Sequence, residues 1–195
     1  MIKNIIFDVG GVLLEWNPAK FLKELDLPSQ FTEVFESLLW AMHDGGLLTR
    51  EELMQKLPGH VQKDVFSHCV RQIAAKLEPI PEMIDLFHAL RRQGYKVYIL
   101  SNMPHELHLE LAELHDFFAH PTGQVYSYQV KAIKPQPQIY EALLSTYKLF
   151  PEESVFIDDR IDNVIAAERL NIKAIQCKSP AQVLTELENL GILIK

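Results

Sequence analysis

Four short segments hold the residues with chemical potential. Asp8 follows the apolar run Ile5-Ile6-Phe7 and precedes Gly10-Gly11. Ser101-Asn102 closes the apolar run 96–100, Lys134 stands in a Lys-Pro segment just ahead of a helical pattern, and Asp158-Asp159 closes the run 154–157. Several carboxylates brought to one point repel unless a cation joins them, and oxygen-only ligands favour a hard cation such as Mg²⁺. A lysine and a small hydroxyl beside that cation suit a phosphate. A carboxylate next to both is placed to act as a nucleophile and form an aspartyl-phosphate. Each residue also has an ordinary alternative. Asp starts turns after strands, Ser101-Asn102 caps a helix, Lys134 alone reads as a solvated lysine, and Asp158-Asp159 suits a helix N-terminus. The chemical reading rests on the four segments together.

Those residues need a frame that gathers them. The runs 5–7, 96–100 and 154–157 read as buried strands, 173–176 as a weaker fourth and 125–130 as a short fifth. Helical periodicity covers 81–92, 137–148, 162–170 and 180–190. This alternation predicts an α/β fold, a doubly wound, Rossmann-like parallel sheet whose strand ends converge on one crevice.

Residues 16–78 break the alternation. Helices are expected over 18–25, 31–41, 49–56 and 63–77, the third opened by the capping box Thr49-x-x-Glu52. The expected organisation is an α/β core of 1–15 and 79–195 with a small all-helical cap, 16–78, inserted after the first strand. Such a module is either extra packing on a sheet face or a lid; its place after a strand's C-terminal end favours the lid. Trp16, Trp40, Met42 and His43 are then candidates to touch a leaving group. Trp40 and Met42 read equally well as the module's own core.

The chain has 195 residues, 48% hydrophobic and 23% charged, with 19 Lys+Arg against 26 Asp+Glu and a net charge of −7. That composition excludes a disordered chain. The charge disfavours nucleic acid as a partner, an extended polyanion that rewards basic surfaces. A small phosphate is not disfavoured, because a bound cation reverses the sign of an acidic pocket. Cys69 and Cys177 form no CxxC or zinc spacing and are expected to be reduced, buried thiols. No signal peptide, transmembrane run or membrane partner is expected, and the cytoplasm is the expected compartment. His105 and His108 lie three apart, not four, so they miss the HExxH zinc pattern and are expected on a solvated helix face. Nothing in the sequence specifies an oligomeric state.

Phe7-Asp8-Val9-Gly10-Gly11-Val12-Leu13, Leu100-Ser101-Asn102, Lys134-Pro135-Gln136-Pro137 and Phe156-Ile157-Asp158-Asp159 resemble, in order, the four motifs of the haloacid dehalogenase-like hydrolases. The third is similar to that of glucose-1-phosphate phosphatases and of the N-terminal phosphatase domain of epoxide hydrolases. The resemblance implies a Mg²⁺-dependent phosphatase acting on a small phosphomonoester, such as a sugar phosphate, through an aspartyl-phosphate on Asp8. It implies that Asp8, Asp159 and the Gly10 carbonyl bind Mg²⁺, and that Asp158 and Asn163 lie beside the metal and orient its ligands. It further implies that Ser101 and Asn102 hold the phosphoryl oxygens and Lys134 neutralises charge.

One position departs from the pattern. Most phosphatases of the family have a second Asp two residues after the nucleophile, to protonate the leaving group and activate water; here it is Gly10. Slow or leaving-group-selective hydrolysis is therefore expected, with Glu15 and His43 as candidate replacement donors. A metal-independent 2-haloacid dehalogenase has no reason to keep Asp158-Asp159. A response-regulator receiver domain carries its acidic pair early rather than late. A non-catalytic phosphate-binding or regulatory module is favoured only by Gly10.

Overall fold

A computed structural model, which describes residues 1–194, has five parallel strands: β1 (Asn4–Phe7), β2 (Lys96–Ser101), β3 (Gly123–Tyr126), β4 (Ser154–Asp158) and β5 (Lys173–Gln176). Their order is β3-β2-β1-β4-β5. The strands are short apolar runs because both faces are covered. Ile5, Phe7, Ile99 and Ile157 pack into one buried cluster, and Ile6, Tyr98, Leu100 and Phe156 into the other. Side chains alternate across a strand, so neighbouring residues fall on opposite faces. Each such side chain, fully buried, contributes about 1.5–3 kcal/mol.

Helices α1 (Pro18–Glu24), α2 (Phe31–Phe35), α3 (Leu38–Asp44), α4 (Arg50–Lys56) and α5 (Lys63–Lys76) lie between β1 and α6 (Pro81–Arg92). The chain leaves and returns side by side. Glu15 N–H donates to the Glu78 carbonyl, and Ile80 N–H to that of Leu13. Phe31, Trp40 and Phe66 share one continuous apolar cluster with Phe7 and Ile99. The rest of the core adds α7 (His105–Leu114), the helical turn α8 (Ser127–Val130), α9 (Pro137–Tyr147), α10 (Ile161–Glu168) and α11 (Pro180–Asn189). Among the described residues no helix is long and apolar enough to cross a membrane.

Three expectations are corrected. The helix expected over 31–41 is two, because Ser37 turns extended and its Oγ accepts from Trp40 N–H to start α3. The strand expected over 125–130 lies earlier, at Gly123–Tyr126, and the chain then turns into α8, where the Gln129 side chain accepts from Tyr126 N–H. His105 is exposed as expected, but His108 is half-buried: its ring lies 4.0 Å from that of Tyr126, with Nδ1 3.1 Å from the Tyr128 hydroxyl. Cys69 is buried and Cys177 half-buried, both free, and burial pushes their thiols up to about 12 and about 11.

Candidate active site

The sheet order reverses at β1, with β2 on one side and β4 on the other, and a parallel sheet opens a crevice at such a point. Phe7 pairs with Ile99 and with Ile157, so the residues that follow these strands emerge side by side. Asp8 is fixed there twice: its N–H donates to the Ile157 carbonyl, and its Oδ1 accepts from Val9 N–H at 2.7 Å.

Lys134 enters from the loop before α9. Its Nζ lies 2.7 Å from Asp8 Oδ1 and 2.6 Å from Asp158 Oδ2, and its side chain is 1% exposed. Burial alone would lower the ammonium's pKa, but the two carboxylates outweigh it and the pKa rises. Asp158 is fully buried, and burial would raise its carboxyl. Lys134, Arg160 N–H and the Asn163 amide, all donating to it, hold it low instead. Lys134 and Asp158 thus form an ionised pair.

Asp8 behaves differently. Burial pushes its carboxyl up to about 8; Lys134 pulls down, while Asp158 and Asp159 push up. Asp159 is raised too, by burial and then by Asp158. Carboxylate oxygens of Asp8, Asp158 and Asp159 all lie within 4.8 Å of one another. An oxygen-only donor set whose members resist ionising together is what a hard divalent cation relieves, so these residues fit Mg²⁺.

Gly11 is required beside them. Its φ is +73°, and an added Cβ would stand 2.5 Å from Asp159 Oδ2. Gly11→Ala is expected to cost about 1–3 kcal/mol from backbone strain, with more from displacing Asp159. Urea unfolding measures the loss, and an unchanged midpoint would contradict the crowding.

Ser101, at the end of β2, is buried and lines the same cavity as Asp8, Gly10, Asn102, Lys134, Asp159 and Asn163. Asn102 has a part that its motif does not indicate. Its Oδ1 accepts from Lys134 N–H at 2.7 Å and its Nδ2 donates to the Lys134 carbonyl at 3.0 Å. Its carboxamide thereby fixes the lysine backbone, while the residue still lines the cavity.

The cavity, of about 140 Å³, is lined as well by the apolar side chains Trp16, Phe35, Trp40, Leu77, Met103 and Leu107. Trp40 is both core and wall: it is buried, and its ring lies 4.7 Å from that of Phe35 and 6.5 Å from that of Trp16. Neither expected replacement donor is among the lining residues. His43 is buried with Nδ1 2.9 Å from the Leu48 carbonyl, and burial lowers its pKa. Glu15 is exposed and pairs with Lys20 at 2.6 Å on another face. The lining residues include two charged groups that the motifs do not indicate, Asp44 and Arg160. Asp44 leaves no such mark in the sequence, where the expected helix ends at 41; α3 carries on to Asp44 before Gly45-Gly46, and there the helix dipole disfavours a carboxylate.

A family model described as a haloacid dehalogenase-like hydrolase matches residues 2–171. The chain is 27% identical to the sesquiterpene phosphatase astK of Aspergillus oryzae over 96% of each chain. It is 24% identical to the D-ribitol-5-phosphate phosphatase of Bacteroides thetaiotaomicron, covering 96% of this chain and 97% of that one. It superposes with a TM-score of 0.69, at 25% identity, on a crystal structure of a family enzyme from Bacteroides thetaiotaomicron in complex with magnesium and inorganic phosphate. That match covers 91% of this chain and 95% of the other.

Proposed function

This chain belongs to the haloacid dehalogenase-like hydrolase family, and on that premise we propose that it is a Mg²⁺-dependent phosphatase of a small phosphomonoester. The observation that carries this reading is Asp8, held 2.7 Å from the Lys134 ammonium on the cavity floor and clustered with Asp158 and Asp159. Asp8 attacks phosphorus and takes the phosphoryl group as an aspartyl-phosphate, which water then cleaves. The Ser101 hydroxyl meets a phosphoryl oxygen. Lys134 neutralises charge spread over the phosphoryl group. Asp8, Asp159 and the Gly10 carbonyl would hold Mg²⁺, with Asp158 and Asn163 orienting them. The cation would supply charge neutralisation, leaving Asp8 ionised and the pocket open to an anion.

Residues 16–78 act as the cap in this reading. The paired neck at Glu15 and Glu78 and the insertion's aromatic residues in the cavity wall support it. Relatives named for a sesquiterpene and for ribitol 5-phosphate differ widely in leaving group. The apolar wall here favours a leaving group with an apolar face.

The test is a panel of alkyl, prenyl and sugar monophosphates, nucleotides and small phosphorylated acids with Mg²⁺, run beside a 2-haloacid. Phosphate release is expected, faster on the apolar esters, and EDTA is expected to lower it about 10²-fold or more. Halide release unaffected by EDTA would overturn the reading in favour of a dehalogenase. No turnover on any ester, with a stable beryllofluoride complex, would overturn it in favour of a binding module.

A further inference from the structure

The polar groups of the cavity divide unevenly. Asp8, Ser101, Asn102, Lys134, Asp159 and Asn163 gather at the strand ends, where the phosphoryl group belongs. Arg160 follows Asp159 there, and the lining that the insertion supplies, Trp16, Phe35, Trp40 and Leu77, is apolar except for one carboxyl, Asp44. An alkoxide expelled toward that lining needs a proton, and Gly10 offers none. The position is also tight, since a Cβ on Gly10 would meet Trp16 Cβ at 3.3 Å.

Asp44 is held where it stands by the core rather than by the insertion alone. It is the last residue of α3, and its carbonyl accepts from the Ser127 hydroxyl of α8. Two residues on, the Gly46 carbonyl accepts from Lys131 Nζ at 2.6 Å. The end of α3 is thus tied to the segment that follows β3, which fixes the Asp44 backbone against the α/β core.

We propose that Asp44 is the general acid and base of this enzyme, taking the part that Gly10 leaves vacant; this rests on the phosphatase reading above. As an Asp8 oxygen bonds to phosphorus, the bond from phosphorus to the leaving oxygen breaks. That oxygen keeps the electron pair and takes the Asp44 proton. Water then attacks the aspartyl-phosphate and gives a proton to the Asp44 carboxylate, releasing inorganic phosphate and the Asp8 carboxylate. Both groups return to their starting protonation.

The environment suits the first step. Part of the residue is accessible, but burial of the carboxyl pushes it up to about 8, with the nearby Asp8 charge adding and Lys134 opposing. The carbonyl end of α3 acts in the same direction. A carboxyl in that range is protonated at neutral pH and close to the optimum for transferring a proton there.

The discriminating measurement is kcat/KM on an alkyl phosphate, which needs a proton on its leaving oxygen, against 4-nitrophenyl phosphate, which does not. Asp44→Asn is expected to lower the alkyl value about 10²-fold or more and the aryl value less than about tenfold. A parallel fall on both esters, or no fall, overturns the assignment, since a structural role does not distinguish them. Asp44→Ser is read the same way if Asp44→Asn does not fold. The wild type alone gives a second reading. Its kcat/KM across leaving groups of rising pKa is expected to be nearly flat, and a steep decline overturns the assignment without any variant. A wild type that turns over neither ester overturns the phosphatase reading itself. One that turns over both with an unselective Asp44→Asn overturns only the role of Asp44.

Discussion

Asp8→Asn is expected to lose about 10⁴-fold or more of the phosphatase activity while folding as well as the parent. The side chain is nearly isosteric, and its backbone stays anchored by the Ile157 carbonyl. Its carboxyl is already held up to about 8, by burial ahead of the Asp158 and Asp159 charges. A neutral amide is therefore close to the state that the metal-free site prefers. The sign of the pH effect follows. Because the folded pKa lies above the unfolded value of 3.8, the folded protein binds this proton more tightly. Asp8 therefore costs the metal-free parent stability as pH rises from about 4 to about 8. Asp8→Asn avoids that cost, so in EDTA its Tm should gain on the parent's across this window. With Mg²⁺ the order should reverse, since a ligand that binds only the folded state raises Tm by an amount that grows with the logarithm of its concentration over Kd. Thermal unfolding over pH with and without Mg²⁺, beside single-turnover kinetics, checks both halves. Hydrolysis that survives Asp8→Asn would remove the aspartyl-phosphate from the mechanism.

The sequence is most informative where one residue type has one physical use. Ile5-Ile6-Phe7 ahead of Asp8 reads as a two-sided buried strand because the run is too short for a buried helix and ends at once in Asp8 and Gly10-Gly11, and all three are buried. The order of the acidic and basic segments is legible for the same reason: strand ends of a doubly wound sheet are where such residues converge. The insertion is legible only as helices. Whether Glu36-Ser37 continues a helix or breaks it depends on one hydroxyl reaching Trp40 N–H, which periodicity does not encode. Residues whose part is set by distant neighbours were the hardest to read. Asn102 gives no sign in the sequence that its carboxamide also pins the Lys134 backbone, 32 residues away. His43 and Glu15 look like proton donors by type, but one faces the Leu48 carbonyl and the other Lys20. Asp44, next to His43 in the chain, acquires its surroundings only when α3 docks beside α8.

Lys134→Met should damage both stability and turnover, and separating the two decides what the lysine is for. Its Nζ bridges Asp8 and Asp158 at 2.7 and 2.6 Å in a setting almost closed to water. Removing it strands a fully buried Asp158 carboxylate, and breaking a buried pair in this way costs about 3–5 kcal/mol. Set against a total stability of about 5–15 kcal/mol, that is enough to unfold part of the population. Arg in its place is no conservative rescue, because a planar fork does not fill a site shaped for a point charge. The remedy is to remove the stranded charge. Adding Asp158→Asn keeps an acceptor for Arg160 N–H and removes the stranded charge, so the double variant should regain much of the lost stability in urea unfolding. Turnover should not follow, because the cation that stabilises the phosphoryl charge is still missing, and about 10³-fold in kcat should remain lost. A double variant that recovers wild-type turnover along with stability would make Lys134 a structural pin. One that recovers stability alone assigns its charge to the reaction.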